Sequence, residues 1–361
     1  MSLSVSVSMR IFLTTVLTLS ATSEVESSDW TGHIKFNGDI RLRHDSIDEE
    51  GESGRESGRY RTRFGVTADA TDDVKIVIQI ASGGDNPVSA NQSFDHGFST
   101  KEIGLDLAYV DWAASDNLHI VGGKMKNPLF RAGKAQLIWD GDFNPAGVAA
   151  RYTSGIFFGT FGVFSADRQS SSDDSLLYTV QAGMNVGVGK NASLQAGAGY
   201  LAYSNTVGHA PFFDGRAKGN TIDINGNYVH EYKHAEFFVQ FDTSLGGWPL
   251  SVYAHAVQNT AVSAADSGFA VGAKVGAAKA KGSMEFGWTF MEIGADAVIS
   301  TFHDSDFAGG NTDSSGHVIK AKYALSKHIA LGGTVFVDKL DRVNGVEHDY
   351  DRLQLDIEFK F

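Results

Sequence analysis

The end of the chain alternates cleanly. Leu353, Leu355, Ile357, Phe359 and Phe361 hold one parity, and Arg352, Gln354, Asp356, Glu358 and Lys360 hold the other. Successive side chains of an extended strand point to opposite faces, so the segment predicts a strand with one oily and one charged face. The same dyad recurs near the start. Ile34, Phe36, Ile40 and Leu42 oppose Lys35, Asp39, Arg41 and Arg43, while Tyr60, Phe64 and Val66 oppose Arg59, Arg61 and Arg63. Residues 176–188, 251–259, 269–277 and 318–325 repeat it. Between Ser283 and Phe302 the parity switches near Met291, which predicts a bulge or a very long strand.

Taken along the whole chain, the pattern predicts strands over 33–45, 59–71, 74–84, 102–114, 118–128, 145–154, 156–168, 175–189, 192–204, 230–244, 249–260, 267–280, 282–303, 316–326, 329–341 and 350–361. The links between them alternate in length. Short ones carry turn chemistry, as in Thr71-Asp72-Asp73, Ser115-Asp116-Asn117, Gly189-Lys190-Asn191, Gly246-Gly247-Trp248 and Ser326-Lys327-His328. Long ones include Glu49 to Gly58, Asp85 to Lys101, Thr206 to Asn227 and Asp304 to Ser315. A soluble sandwich would turn the oily face inward and has no reason to keep this alternation. An up-and-down barrel in a membrane turns it outward to lipid, with an even strand number, short turns at one rim and long loops at the other. The expected fold is therefore an all-β transmembrane antiparallel barrel of about sixteen strands.

Composition narrows the picture. The 361 residues contain no Cys, 41 Gly and 5 Pro, and the mean hydropathy is −0.15, too polar for a helical membrane protein but compatible with strands polar on one face. The lack of Cys fits export to an oxidising compartment. The formal net charge of −13 argues against a nucleic-acid partner, which would select a basic face. Arg10, the apolar run Ile11 to Leu19 and the small residues Ser20 to Ser23 read as an export signal over residues 1–23, leaving one barrel domain over 24–361. The run is too short to span a bilayer as a helix.

Two motifs suggest metal chemistry. His230-Glu231-Tyr232-Lys233-His234 fits H-E-x-x-H, which on a helix would place two His on one zinc. Its surroundings read as a strand, where four residues span roughly 13 Å, too far for two ligands of one ion. Asp140-Gly141-Asp142-Phe143-Asn144 resembles the opening of a calcium loop, but Pro145 stands where the sharp-turn Gly belongs and Arg151 where the bidentate Glu belongs. That leaves at most a looser carboxylate site. The expectation is no metal, no cofactor and no catalytic residue: G-x-S-x-G, a Cys nucleophile and a phosphate-cradling loop are all missing from the sequence.

The informative cluster is basic. Arg41, Arg43, Arg59, Arg61 and Arg63 fall on the inward faces of two neighbouring strands, where like charges need a counter-charge. The third long connection, Arg131 to Asn144, carries Leu137, Ile138 and Trp139 beside Asp140 and Asp142, too apolar for a solvated loop. Folded into the lumen, its carboxylates would face the arginines across a constriction, with Glu102 and Asp106 as further lining acids. The plainer reading is that the arginines satisfy Glu49, Glu50, Glu52 and Glu56 of the first loop.

Gly122-Gly123-Lys124-Met125-Lys126-Asn127-Pro128, Trp139-Asp140-Gly141-Asp142 with Asn144-Pro145-Ala146-Gly147, Asp304-Ser305-Asp306-Phe307 through Gly309-Gly310-Asn311-Thr312 to His317, and Asp351-Arg352-Leu353-Gln354-Leu355-Asp356 together resemble the putative porin family of Gram-negative outer membranes. The resemblance implies porin activity in the cell outer membrane, contact with its lipid, and passive diffusion of small hydrophilic solutes and ions. It is similar in plan to the sixteen-stranded general porins, in which a third loop narrows the pore. Those are trimers, though no residue pattern here fixes an oligomeric state. A last strand ending in Phe361 resembles the signal read by the barrel assembly machinery. A specific channel for phosphate-like or organic anions, and a non-conducting scaffold or surface-recognition barrel, stand as alternatives.

Overall fold

The computed structural model describes residues 30–95, 97–167, 174–341 and 346–361. The expected export signal lies outside the described residues. The chain divides into Met1–Ile34 and Lys35–Phe361; of the first, the described part is a 3-10 turn, Trp30–His33, leading into a strand.

Sixteen antiparallel strands build the wall, numbered here in chain order. They are β1 Ile34–Glu49, β2 Arg55–Asp69, β3 Val74–Ser82, β4 Ile103–Ser115, β5 Leu118–Lys124, β6 Ala146–Ser154, β7 Phe157–Asp167 and β8 Ser175–Val188. The second half comprises β9 Ala192–Tyr203, β10 Lys233–Leu245, β11 Trp248–Asn259, β12 Ser267–Gly276, β13 Met284–Ile293, β14 Ser314–Ala324, β15 Ile329–Leu340 and β16 His348–Lys360. Each pairs with its sequence neighbours, and a two-residue strand, Gln92–Ser93, adds to the upper end of β2. The sheet closes where β16 meets β1 in a register running from Asp39 opposite Lys360 to Glu49 opposite Tyr350. Closure leaves the wall no open edge, which lipid requires because it cannot satisfy a bare backbone.

The dyad sets which solvent each face meets. On β16, Leu355 is 50% exposed while Arg352 is 5% exposed. The inversion holds around the wall: Phe64, Ile78, Trp112, Phe161, Phe237 and Trp288 lie on the outside, and Arg43, Gln181, Glu236 and Gln354 are buried within. An oily outside around a charged inside fits lipid as the outer solvent. No helix among the described residues is long and apolar enough to cross a membrane.

Turns at one rim are short (70–73, 116–117, 155–156, 189–191, 246–247, 277–283 and 325–328), and the larger connections collect at the other. The structure corrects the expected pattern at three places. The first connection is 50–54 rather than Glu49 to Gly58, because the strands extend to Glu49 and resume at Arg55. Strand 118–128 ends at Lys124, where Met125 turns into the third loop and donates its backbone N–H to Pro145. The strand expected over 282–303 stops at Ile293, and residues 294–313 fold into a buried loop with short 3-10 turns at Ser300–Phe302 and Phe307–Gly310. The parity switch near Met291 marked that departure from the wall.

Gly38 sits at the closing seam, where a Cβ would collide with the Arg63 carbonyl and the Phe361 ring. We expect Gly38→Val to cost about 1–3 kcal/mol through overpacking and to lower the folded fraction, read as the mobility difference between heated and unheated protein on a detergent gel. An unchanged fraction would mean that the seam has room the geometry does not show.

Candidate functional site

The inner faces of β16, β1 and β2 form a ladder of opposite charges. Arg43 lies directly opposite Asp356 in the register and holds it through two hydrogen bonds of 2.7 and 2.8 Å. Arg352 reaches diagonally to Asp45 through two bonds of 2.8 Å, and Arg59 Nη2 stands 3.3 Å from the same carboxylate. Lower on the wall, Asp39 accepts from Arg61 at 2.9 Å and Arg63 at 2.8 Å. Forked guanidinium–carboxylate contacts of this kind fix geometry as well as charge. All five sequence-predicted arginines therefore occupy one inner surface. The first-loop carboxylates do not serve as their counter-charges: Glu49 pairs with Arg55 instead.

The third loop, residues 125–145, packs into the lumen through apolar contacts. Leu137, Ile138 and Trp139 are buried. Phe130 packs against Phe158 and Phe238, with ring centres 5.9 and 5.1 Å away, and its backbone N–H and carbonyl are both bound by Gln181 at 2.8 and 3.0 Å. Gly133 donates to Gln240 at 2.7 Å, and it adopts φ 59° against the Tyr253 ring, where a Cβ would collide. Glycine fits that close approach in a left-handed conformation.

The two acids of this loop part company. Asp142 meets the ladder, at 3.3 Å from Arg61 and 3.6 Å from Arg63. Asp140 does not, which corrects the expectation. It is buried and accepts from the backbone N–H groups of Asp142 at 2.7 Å and Ser305 at 2.9 Å. Asp106 accepts from Gln79 and Asn144, each at 2.6 Å, while Glu102 is exposed at a side cavity that it shares with Asp106, Lys124 and Asp142.

A second loop in the lumen, residues 294–313, escaped the sequence reading. It joins the third loop through Asp140 N–H to Phe302 O at 2.7 Å and Gln136 Nε2 to Asp304 at 2.8 Å, and Phe143 packs on Phe302 at 5.0 Å. Its Asp306 clamps to the wall, 3.2 Å from Arg43 and 2.9 Å from Arg352. Asn220, from the long connection 204–232, ties the same loop by donating to Ala295 O and Val298 O and accepting from Ser300 N–H. The available signal was Asp304-Ser305-Asp306 following an apolar run that had lost its alternation.

The H-E-x-x-H residues do not converge on a metal. His230 precedes the strand and stands 3.7 Å from Asp296, whereas His234 begins β10 with its ring buried and without a hydrogen-bond partner. No cluster of three or more metal-ligating side chains occurs among the described residues.

Residues 48–227 and 215–361 match the family model described as Putative porin. The chain belongs to the putative porin family. Solved structures agree on the fold. OprB of Pseudomonas putida at high pH is 13% identical, with TM-score 0.64 over 92% of this chain and 95% of its own. OmpF of Salmonella typhi in complex with daunomycin is 11% identical, with TM-score 0.56 over 91% and 97%. OmpT of Vibrio cholerae, folded in vitro, is 10% identical, with TM-score 0.53 over 91% and 97%. No curated protein matches the sequence. Family and fold place this porin in the Gram-negative outer membrane, with lipid around it and a path for small solutes through it.

The buried carboxyls of the two lumen loops respond to pH in opposite senses. Burial raises the carboxyls of Asp140 and Asp304 above the ordinary range, and nearby acids add to the shift. For Asp306 burial also pushes upward, but Arg352 and Arg43 outweigh it and hold the group below that range. A carboxyl raised by folding costs stability at high pH and returns it as pH falls through the folded value; one that is depressed keeps its contribution until pH falls below the usual range. Acidification from about pH 7 to about pH 5 should thus leave amide-exchange protection of residues 294–313 unchanged or higher. Asp306→Asn should lower the loop's local stability by about 2–4 kcal/mol at pH 7. Lower protection in the unmodified protein at pH 5, taken relative to the intrinsic exchange rate at each pH, would contradict the assignment.

Proposed function

We propose that this porin is a passive diffusion channel for small hydrophilic solutes and ions, and that the arginine ladder lines a constriction favouring anions. The observation that carries the reading is the position of Arg41, Arg43, Arg61 and Arg63 on one cavity of about 690 Å³, together with the third loop and residues 304–306. Fixed charges on a narrow, low-dielectric wall bias which ions enter, and loops held across the lumen bring permeating ions within range of them. Selectivity then comes from the lumen, with no catalytic group involved. On this reading Phe361 presents the terminal strand to the assembly machinery, and copies of the chain associate as in the general porins it resembles.

The depth of residues 294–313 favours a narrower variant, a channel specific for phosphate-like or organic anions. Two loops seated in one lumen leave less free cross-section than one.

Current through purified protein in a planar bilayer under a KCl gradient tests the proposal. Stable steps with a reversal potential on the anion side are expected. Neutralising Arg41, Arg61 and Arg63 together should move the reversal potential toward cations, with a several-fold fall in the anion-to-cation ratio, because Asp39 and Asp142 lose their partners. An unchanged reversal potential would remove the anion-favouring constriction, and a silent bilayer would favour the scaffold alternative.

A further inference from the structure

The charges lining the main cavity do not balance locally. Its acids are all engaged: Asp142 by Arg61 and Arg63, Asp306 by Arg43 and Arg352, Asp356 by Arg43, Glu358 by Lys322 at 2.5 Å and Glu285 by Lys274 at 3.9 Å. Asp140 and Asp304 are held by hydrogen bonds within the two loops. Four cations on the same cavity, Arg41, Lys134, Lys279 and Lys320, have no carboxylate within ion-pair distance among the described residues.

Arg41 is the most constrained of these. It is 9% exposed, its Nε has no hydrogen-bond partner, and its Nη2 donates to the neutral amide of Asn91 at 2.7 Å. The strand register sets Glu358 opposite it, but that carboxylate is taken by Lys322 and by Lys360 at 3.3 Å. A buried guanidinium with no directly paired carboxylate is costly, and the acids that act on Arg41 from beyond ion-pair distance, Asp356 and Asp142, are already held by Arg43, Arg61 and Arg63. The neighbouring ladder arginines all have acids, so the omission is local to Arg41.

We infer that Arg41, supported by Lys320 and Lys134 on the same cavity lining, forms a subsite for a small oxyanion: inorganic phosphate, or a phosphate or carboxylate group carried by a solute. The guanidinium fork suits two oxygens of such a group, and the flexible ammonium groups add point charge. The inference deepens the channel reading and rests on it, since the lumen must admit the solute. It adds a saturable stopping point to what would otherwise be a bias on ion flow.

The test is calorimetric titration of inorganic phosphate into the full-length protein in detergent at low chloride, with a parallel bilayer recording in KCl. Saturable binding of about one phosphate per chain is expected, weakened at least about tenfold by Arg41→Gln, since a charge-assisted hydrogen bond is lost, and by a smaller factor by Lys320→Gln. Phosphate should also reduce the KCl current to a plateau. If gel mobility shows that Arg41→Gln fails to fold, the Lys134→Gln, Lys320→Gln double variant carries the test, and binding equal to that of the unmodified protein would overturn the subsite. A conducting channel that shows no saturable phosphate binding, or an Arg41→Gln protein that binds as tightly, overturns the subsite and leaves the channel reading standing. Phosphate bound by a protein silent in the bilayer supports the subsite and overturns the channel reading.

Discussion

The structure depends on placing charge inside a closed sheet whose outside faces oil. Closure pairs every wall strand with its neighbours and removes the bare edges that lipid would punish. It also commits every second side chain to the lumen. On β16, β1 and β2 many of those side chains are Arg and Asp, set opposite or diagonal to one another, so the ladder arginines other than Arg41 each have a carboxylate within one strand spacing. The charged surface is thereby held in place rather than left to fold onto whatever acid is nearest.

Both lumen loops are held by apolar burial, and they differ in the polar anchors that their compositions add. Residues 125–145 carry Leu129, Leu137, Ile138 and Trp139 and stay in by apolar burial, finished by backbone bonds to Gln181 and Gln240. Residues 294–313 also bury Val298, Ile299, Phe302 and Phe307, and add charged and polar anchors: Asp306 to two arginines, Asp296 to Tyr232 and Thr221, and main chain to Asn220. The two loops meet at Asp140, Gln136 and Phe302, so neither leaves the lumen without breaking contacts of the other. Asp140 is central to this junction because burial between loops denies it the solvent that Asp142 keeps beside the arginines.

Much of the wall was legible because the strand period is two and the chain obeys it. Arg41, Arg43, Arg59, Arg61 and Arg63 could be assigned to the inner face from parity alone. The errors fell where parity stops carrying information. Ser283 to Phe302 remains apolar beyond Ile293, and an apolar run reads the same on a lipid-facing strand and in a loop buried inside the barrel. The separation of Asp140 from Asp142 lay equally beyond the sequence, since two acids a residue apart look alike until something packs on one of them.

The sequence by itself determined the strand number, the inward arginines, the apolar third loop and the family, because alternation, turn chemistry and motif spacing are local properties of the chain. Tertiary structure alone decided which acid answers which arginine, that a second loop enters the lumen, and that Arg41 is left with Asn91. Those outcomes depend on registers and loop packings, several of which join residues 50 to more than 300 positions apart, and no local pattern encodes them.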